Sequence, residues 1–299
     1  MTPRRDSFAA FTALWTAGFA IFMALTVSAQ QADQTNLHPD VLSLGGSVTE
    51  IVVALGQQHR LSGRDTTSTY PPEVTALPDV GYLRALSPEG VLSVGPSLIL
   101  SEEGAGPPQA IDVIRAADVR FVEVPEARSA EGILRKIEIV GDALGVPEKA
   151  SDLAAEVKAS LTKALADADR PTSERKRVLF VISTQGGKIN ASGSGTAADA
   201  IIRMAGGINA VTEYKDYKQI TDEAVGLAAP DVILMMDRGG DHGAADDDLF
   251  AMPAIRLTPA AQTRSVVRMD GLLMLGFGPR TAVAVSQLNA ALYPDGPDT

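Results

Sequence analysis

The stretch PEKASDLAAEVKASLTKALADA, residues 147–168, has no glycine and carries large apolar side chains at a helical spacing. Pro147 suits the first turn of a helix, because an N–H would find no partner there. The apolar side chains of one face are Leu153, Val157, Leu161 and Leu165. A helix of roughly 22 residues would be ~33 Å long. We predict a rigid helix over residues 146–170 that connects two lobes.

Short apolar runs lie on both sides of this predicted connector, with helical stretches between them. The runs cover residues 41–44, 98–100, 119–124, 178–183 and 232–236. Apolar strands that alternate with helices are typical of parallel sheets covered on both faces. We therefore predict an α/β protein with two Rossmann-like lobes, over residues 30–145 and 171–299.

Two similar units occur, one in each predicted lobe. SPEGV at 87–91 and TDEAV at 221–225 each lead to a proline and then to an apolar strand. Ser87 and Thr221 are predicted helix N-caps, with Glu89 and Glu223 in the first helical turn. An internal duplication explains the match, although every α/β protein reuses such units.

A second pair of matched helix starts is weaker. GSVTE at 46–50 and GTAAD at 195–199 each place a hydroxyl and an acidic residue before an apolar helix. Ser47 and Glu50 have the spacing of a capping box, in which the two side chains bond the backbone N–H groups of the first turn. We predict that arrangement at residue 47.

The N-terminal residues have the pattern of an export signal. Arg4 and Arg5 precede an apolar run over residues 8–27, and small residues follow at Ser28 and Ala29. We predict a signal peptide over residues 1–29, cleaved after Ala29 or after Ala32, and an exported product. The alternative is a membrane anchor, because the run is just long enough to span a bilayer.

Composition excludes several classes of function. The 299 residues include no cysteine, which rules out disulfides, thiolate zinc sites and cysteine nucleophiles. A net charge of −11 argues against nucleic-acid binding, which needs a basic surface. The histidines, His38, His59 and His242, have no zinc-motif spacing, and neither a nucleophile elbow nor a Walker lysine occurs. These absences argue against an enzyme, and we expect a monomer.

The segment DVGYLRALSPE, residues 79–89, is the most informative about a ligand. Tyr82 and Arg84 are two positions apart and would project to the same side of an extended loop. A guanidinium next to a phenol favours the phenolate, which is a hard ligand that suits ferric iron. Tyrosine is also one of the axial ligand types of haem. The alternative is a loop tyrosine that packs beside an arginine and binds nothing.

Six longer strings carry a family resemblance. They are LSLGGSVTEIVVALG (42–56), DTTSTYPPE (65–73), LPDVGYLRALSPEGVLSV (77–94), ASGSGTAADAIIRMAGGINA (191–210), MMDRGG (235–240) and LLMLGFGPRTAVAV (272–285). From about residue 41 to 292 the chain resembles the haemin-binding periplasmic proteins of bacterial ABC-type haem importers. That family belongs to a larger group that also binds cobalamin and ferric siderophores. GYLRALSPEG and GFGPRT are the strings most specific to haem carriers.

The resemblance implies a class III periplasmic binding protein with its ligand in a groove between the lobes. It implies that Tyr82 binds the iron of ferric haem, that Arg84 lies beside it, and that Arg238 adds a basic contact from the other lobe. The number of haems bound, one or two, stays open, and so does the identity of a second axial ligand. For His242, a solvated loop residue is a simpler interpretation than that ligand. The runner-up ligand is another iron chelate or a corrinoid.

The resemblance also implies partners. Glu89 and Glu223 would dock onto basic residues of an ABC permease dimer that works with an ATPase. Their alternative role is to stabilise the helix dipole in the first turn. An outer-membrane haem receptor system would act upstream.

Because no glycine interrupts residues 147–168, we expect little motion between the lobes.

Overall fold

Two β-sheets, one in each predicted lobe, organise the computed structural model, which describes residues 38–126, 128–237 and 246–294. The predicted signal peptide, Arg238 and His242 lie outside these residues. Within them, no helix is both long enough and apolar enough to cross a membrane. The sheets are mostly parallel and carry helices, which confirms the predicted α/β class.

The N-terminal lobe is built on a four-stranded parallel sheet. Its elements are β1 (Val41–Leu44), α1 (Gly46–Ala54), β2 (Leu61–Arg64), α2 (Pro88–Ser93), β3 (Leu98–Glu102), α3 (Pro108–Arg115), β4 (Arg120–Val124) and α4 (Ala130–Leu144). The strand order in the sheet is β2-β1-β3-β4. All four strands end at the same edge, so the loops that follow them meet there. In α/β sheets, ligands bind at the carboxyl ends of the strands.

A single helix of 22 residues, α5 (Pro147–Ala168), follows this lobe. Its buried face is lined by alanine as well as by the predicted Val157 and Leu161, whereas Leu153 and Leu165 are only half buried. The small side chains allow α4 and α5 to approach closely, and a side chain at Gly141 of α4 would overlap Ala150. The predicted connecting helix is therefore present and is packed along its length. The exact lobe boundaries stay a prediction.

The C-terminal lobe contains a six-stranded sheet with the order β10-β9-β5-β6-β8, and β7 pairs with β5. Its elements are β5 (Arg177–Ser183), β6 (Ile189–Ser192), α6 (Ala197–Met204), β7 (Ile208–Asn209), β8 (Tyr217–Ile220), α7 (Asp222–Ala228), β9 (Val232–Asp237), α8 (Asp246–Ala251), α9 (Pro259–Thr263), β10 (Val266–Asp270), α10 (Gly271–Leu275) and α11 (Thr281–Leu292).

This second sheet is parallel in its pairs β10–β9, β9–β5 and β5–β7 and antiparallel only around β6. β6 runs antiparallel to both β5 and β8. The chain reverses at Gly186 and Gly187, whose φ angles of 66° and 74° suit glycine. The reversal returns β6 beside β5 as a hairpin instead of passing through a helix.

The two lobes share one hydrophobic core. It joins Ile51 of the first lobe, Leu161 of α5, and Phe180 and Leu288 of the second lobe, all of which are buried. Each lobe also has one smaller cluster of its own, on the face of its sheet that is turned away from the shared core. Because the shared core runs through α5, packing as well as chain connectivity sets the position of one lobe against the other.

Candidate functional site

The loop over residues 65–87 lies at the carboxyl edge of the first sheet and is held there by Asp65. This buried carboxylate accepts hydrogen bonds from the Gly45 N–H at 3.0 Å and from the Ser68 hydroxyl at 2.7 Å. It also accepts from both the N–H and the hydroxyl of Thr67. The start of the loop is therefore tied to the end of β1.

Asp79 fixes the part of the loop that leads to Tyr82. Its carboxylate accepts from Arg64 Nη1 at 3.1 Å, from Thr66 Oγ1 at 3.1 Å and from the Gly81 N–H at 2.9 Å. The Thr66 N–H donates to the Gly81 carbonyl at 3.0 Å. These bonds hold Thr66, near the start of the loop, against Gly81, the residue directly before Tyr82.

Tyr82 projects from this loop because the residues around it point inward. Val80, Leu83 and Leu86 are buried in the outer core of the lobe, whereas 48% of the Tyr82 side chain is exposed. The Leu86 N–H donates to the Gly106 carbonyl at 2.8 Å, and the Gly106 N–H donates to the Leu83 carbonyl at 2.9 Å. The Tyr82 phenol is therefore carried on an anchored loop at the edge where α/β proteins bind ligands.

Arg84 does not lie in an extended segment with Tyr82, contrary to the geometry expected from the sequence. The Ala85 N–H donates to the Tyr82 carbonyl at 2.7 Å, so residues 82–85 form a turn. Arg84 is exposed, and its Nη1 would be 3.4 Å from a side-chain carbon built on Gly104. The turn forms because the buried Leu83 draws the backbone inward between the two exposed residues.

Strand β9 ends at Asp237, so the predicted contact Arg238 and the nearby His242 follow the carboxyl end of a C-terminal strand. Both lie outside the described residues, and their part in the site stays a prediction.

Glu89 and Glu223 begin equivalent helices. Ser87 Oγ accepts from the Gly90 N–H at 3.0 Å, and Thr221 Oγ1 accepts from the Ala224 N–H at 3.2 Å, which confirms both predicted N-caps. Both carboxylates are exposed. Hydrogen bonds from its own backbone N–H and from Thr221 lower the pKa of Glu223 below its ordinary value.

A cation–π pair and an ion pair link the lobes near the loop over residues 65–87. Arg280, at the start of α11, donates from Nε to Glu50 Oε2 at 3.1 Å and from Nη2 to Glu50 Oε1. The same guanidinium lies 3.4 Å from the centre of the Tyr70 ring. Burial raises the pKa of Glu50, and the hydrogen bonds and charge of Arg280 oppose that rise.

A second buried pair lies beside the first. Lys136 of α4 is fully buried and donates from Nζ to Glu102 Oε1 at 2.5 Å and to Ser47 Oγ at 2.9 Å. It also approaches the Gly276 carbonyl of the C-terminal lobe at 3.5 Å. Two cations and two carboxylates are thus paired at the boundary between the lobes.

These contacts show that the predicted capping box at Ser47 and Glu50 is wrong. Helix α1 begins at Gly46 without a side-chain cap. The Ser47 hydroxyl donates to Glu102 at 3.0 Å, and Glu50 binds Arg280 instead of the helix start. Sequence reasoning missed this group because its members are far apart in the chain. The only signal was that GSVTE and GFGPR both lie in the strings that carry the resemblance.

The fold and the site define a class III periplasmic binding protein, with two α/β lobes joined by one long helix. The chain belongs to the periplasmic binding protein family, whose family model matches residues 41–272. Members of this family are the binding components of transport systems and not enzymes, and they work outside the cytoplasm.

Solved structures of haem-binding proteins are similar to this chain. The periplasmic haem-binding protein BhuT, in complex with two haems, is 40% identical with a TM-score of 0.82, over 85% of this chain and 98% of that one. The periplasmic haem-binding protein RhuT from Roseiflexus sp. RS-1, in its apo form, is 38% identical with a TM-score of 0.81, over the same shares.

The curated relatives are more distant, and those whose names state a ligand bind vitamin B12. The uncharacterized ABC transporter substrate-binding lipoprotein YvrC of Bacillus subtilis (strain 168) is 28% identical, over 85% of this chain and 80% of its own length. The vitamin B12-binding protein of Photorhabdus laumondii is 23% identical, over 86% and 88%. The relatives therefore include both haem carriers and corrinoid carriers.

Proposed function

We propose that this protein captures haem between its lobes and delivers it to an ABC importer. The observation that carries the proposal is the phenol of Tyr82, 48% exposed on an anchored loop at the carboxyl edge of the first sheet. The 40% identity to the haem-binding protein BhuT supports the same ligand.

In this proposal Tyr82 binds the ferric iron as phenolate, because an anionic oxygen is the ligand type that ferric iron favours. Arg84, two residues on, and Arg238, after β9, supply positive charge for the phenolate or for the haem propionates. Such cations are needed because the chain as a whole is acidic, with a net charge of −11. The predicted signal peptide, residues 1–29, would be removed during export to the periplasm, where an outer-membrane receptor system supplies haem.

A corrinoid is the second candidate ligand, favoured by the 23% identity to a vitamin B12-binding protein. A corrinoid carrier would share the fold and the docking acids but would not use a phenolate to bind iron. Tyr82 would then be a surface residue of the groove.

A titration of the purified protein with haemin and, separately, with cyanocobalamin tests the proposal. We expect haemin to give the visible spectrum of high-spin, tyrosine-ligated ferric haem, and cyanocobalamin to show no saturable binding. The equivalence point gives the number of haems, one or two. Saturable binding of cyanocobalamin without binding of haemin would establish the second candidate instead.

Reversing the charge of both docking acids, Glu89→Lys with Glu223→Lys, should block delivery but not capture. Both carboxylates are exposed and begin equivalent helices in the two lobes, so they present a matched pair to a two-fold symmetric permease. Haem affinity should stay within about twofold of wild type, whereas carrier-stimulated ATP hydrolysis in vesicles that contain the importer should fall sharply.

The matched control is Glu148→Lys with Glu156→Lys, which changes the net charge equally at exposed positions of α5. It should leave ATP hydrolysis unchanged, and the wild-type stimulation should weaken with salt. If the Glu89/Glu223 variant stimulates ATP hydrolysis like the wild type, the two acids act only as helix-start residues.

A further inference from the structure

Tyr70 and Tyr82 are the two most exposed aromatic side chains among the described residues, at 41% and 48%. The other tyrosines and phenylalanines in those residues are half buried or buried. Both exposed rings belong to the loop over residues 65–87 that follows β2. The chain has few aromatic side chains, so two exposed rings in the same loop indicate a shared role.

One face of the Tyr70 ring is in contact with a residue of the other lobe. The Arg280 guanidinium lies 3.4 Å from the ring centre, so it covers one face of the ring. Arg280 is itself fixed by two hydrogen bonds to Glu50, a carboxylate that is 5% exposed. The orientation of this exposed ring is therefore set by a buried ion pair and by both lobes.

Tyr70 and Tyr82 follow the two residues that a backbone hydrogen bond joins within this loop. The Thr66 N–H bonds the Gly81 carbonyl at 3.0 Å, Tyr70 follows Thr66 by four residues, and Tyr82 directly follows Gly81. Four residues span at most ~14 Å even when fully extended. Both side chains therefore start from the same short section of the loop at this edge of the sheet.

We propose that Tyr70 is a stacking surface for a flat aromatic macrocycle and that Arg280 is the positioning residue that holds its ring. A cation on one face draws electron density from the ring, so the free face attracts the electron-rich system of a porphyrin. The proposal rests on the proposed function and adds a residue that contacts the flat face of the macrocycle.

The alternative is that Tyr70 only shields the Arg280–Glu50 ion pair from water. The two roles differ in what they predict for ligand binding. A shield affects the stability of the protein, whereas a stacking surface affects the affinity for any flat macrocycle, with or without iron. A macrocycle that lacks iron therefore separates stacking by Tyr70 from ligation by Tyr82.

The test compares wild type, Tyr70→Leu and Tyr70→Phe in titrations with haemin and with metal-free protoporphyrin IX. Tyr70→Leu should weaken the binding of both ligands by a similar factor, about fivefold to tenfold, because both stack on the ring. Tyr70→Phe keeps the ring and should bind both ligands like the wild type. Phe121→Leu is the matched control, since Phe121 also lies under an arginine, 4.9 Å from Arg115, at the amino end of β4.

The positioning role of Arg280 is tested with Glu50→Gln/Arg280→Met, a double variant that leaves no unpaired charge. It should weaken the binding of both ligands about as much as Tyr70→Leu does. The ferric–phenolate charge-transfer band from Tyr82 should keep its wavelength. If Tyr70→Leu binds both macrocycles as the wild type does, the stacking role is wrong and haem capture by Tyr82 still stands. If the wild type binds neither macrocycle, the proposed function fails, and this inference with it.

Discussion

Tyr82→Ala is expected to weaken haemin binding by at least about a hundredfold and to remove the ferric–phenolate charge-transfer band. The lower bound follows from the 1.5–3 kcal/mol of a charge-assisted hydrogen bond, about tenfold to a hundredfold in affinity, which a metal–phenolate bond exceeds. The loop should survive the change, because Leu83 and Leu86, not Tyr82, anchor it in the core. Visible spectroscopy and the haemin dissociation rate measure the two effects.

Three further variants test whether the phenol oxygen of Tyr82 is the iron ligand. Tyr82→Phe keeps the ring but removes the oxygen and should lose the band as Tyr82→Ala does. Tyr82→His should give a spectrum of nitrogen ligation. Tyr214→Phe removes a hydroxyl that donates to the Ala191 carbonyl at 3.1 Å and should leave the spectrum unchanged. An intact charge-transfer band in Tyr82→Phe would rule out ligation by Tyr82.

Lys136→Met should lower the free energy of unfolding by about 3 kcal/mol, measured by urea denaturation. The ammonium is fully buried and is the cation paired with Glu102 at 2.5 Å, so its loss leaves a largely buried carboxylate without a counter-charge. Breaking a buried pair from one side costs about 3–5 kcal/mol. The low end applies here because 15% of the Glu102 side chain is exposed.

The double variant Lys136→Met/Glu102→Gln should recover most of this loss, since it removes both charges and keeps an acceptor for the Ser47 hydroxyl. Lys163→Met is the control. Lys163 forms an exposed pair with Asp167, and breaking it should change the free energy by less than about 1 kcal/mol. A double variant as unstable as the sum of the two single variants would show that the pair does not act as a unit.

The sequence predicts those parts of the fold that depend on neighbours in the chain. The long helix from Pro147 follows from its spacing of apolar residues, and the caps Ser87 and Thr221 need partners only three residues away. The hairpin of β5 and β6 was not predicted, because an apolar run has the same appearance in a parallel and in an antiparallel pair.

Only part of the candidate site is predictable from the sequence, because some of its contacts join residues that are far apart in the chain. Tyr82 is identified by its local context, but its turn with Arg84 depends on Leu83 packing into the core. Ser47 and Glu50 have the spacing of a capping box, yet their partners are Glu102 and Arg280, 55 and 230 residues away. Long-range pairing of charges overrides a local motif, and a single sequence carries no direct signal of it.

The shared core ties the folding of the first lobe to the last helix of the chain. Ile51 belongs to the same core as Leu288, near the end of α11, and Glu50 finds its counter-charge only when Arg280 arrives. The core of the first lobe is therefore complete only when the last helix, α11, has packed against it. Contacts of such long sequence separation slow folding. Until α11 packs, the first lobe leaves apolar surface open to proteases and to aggregation, so both lobes gain their stability together.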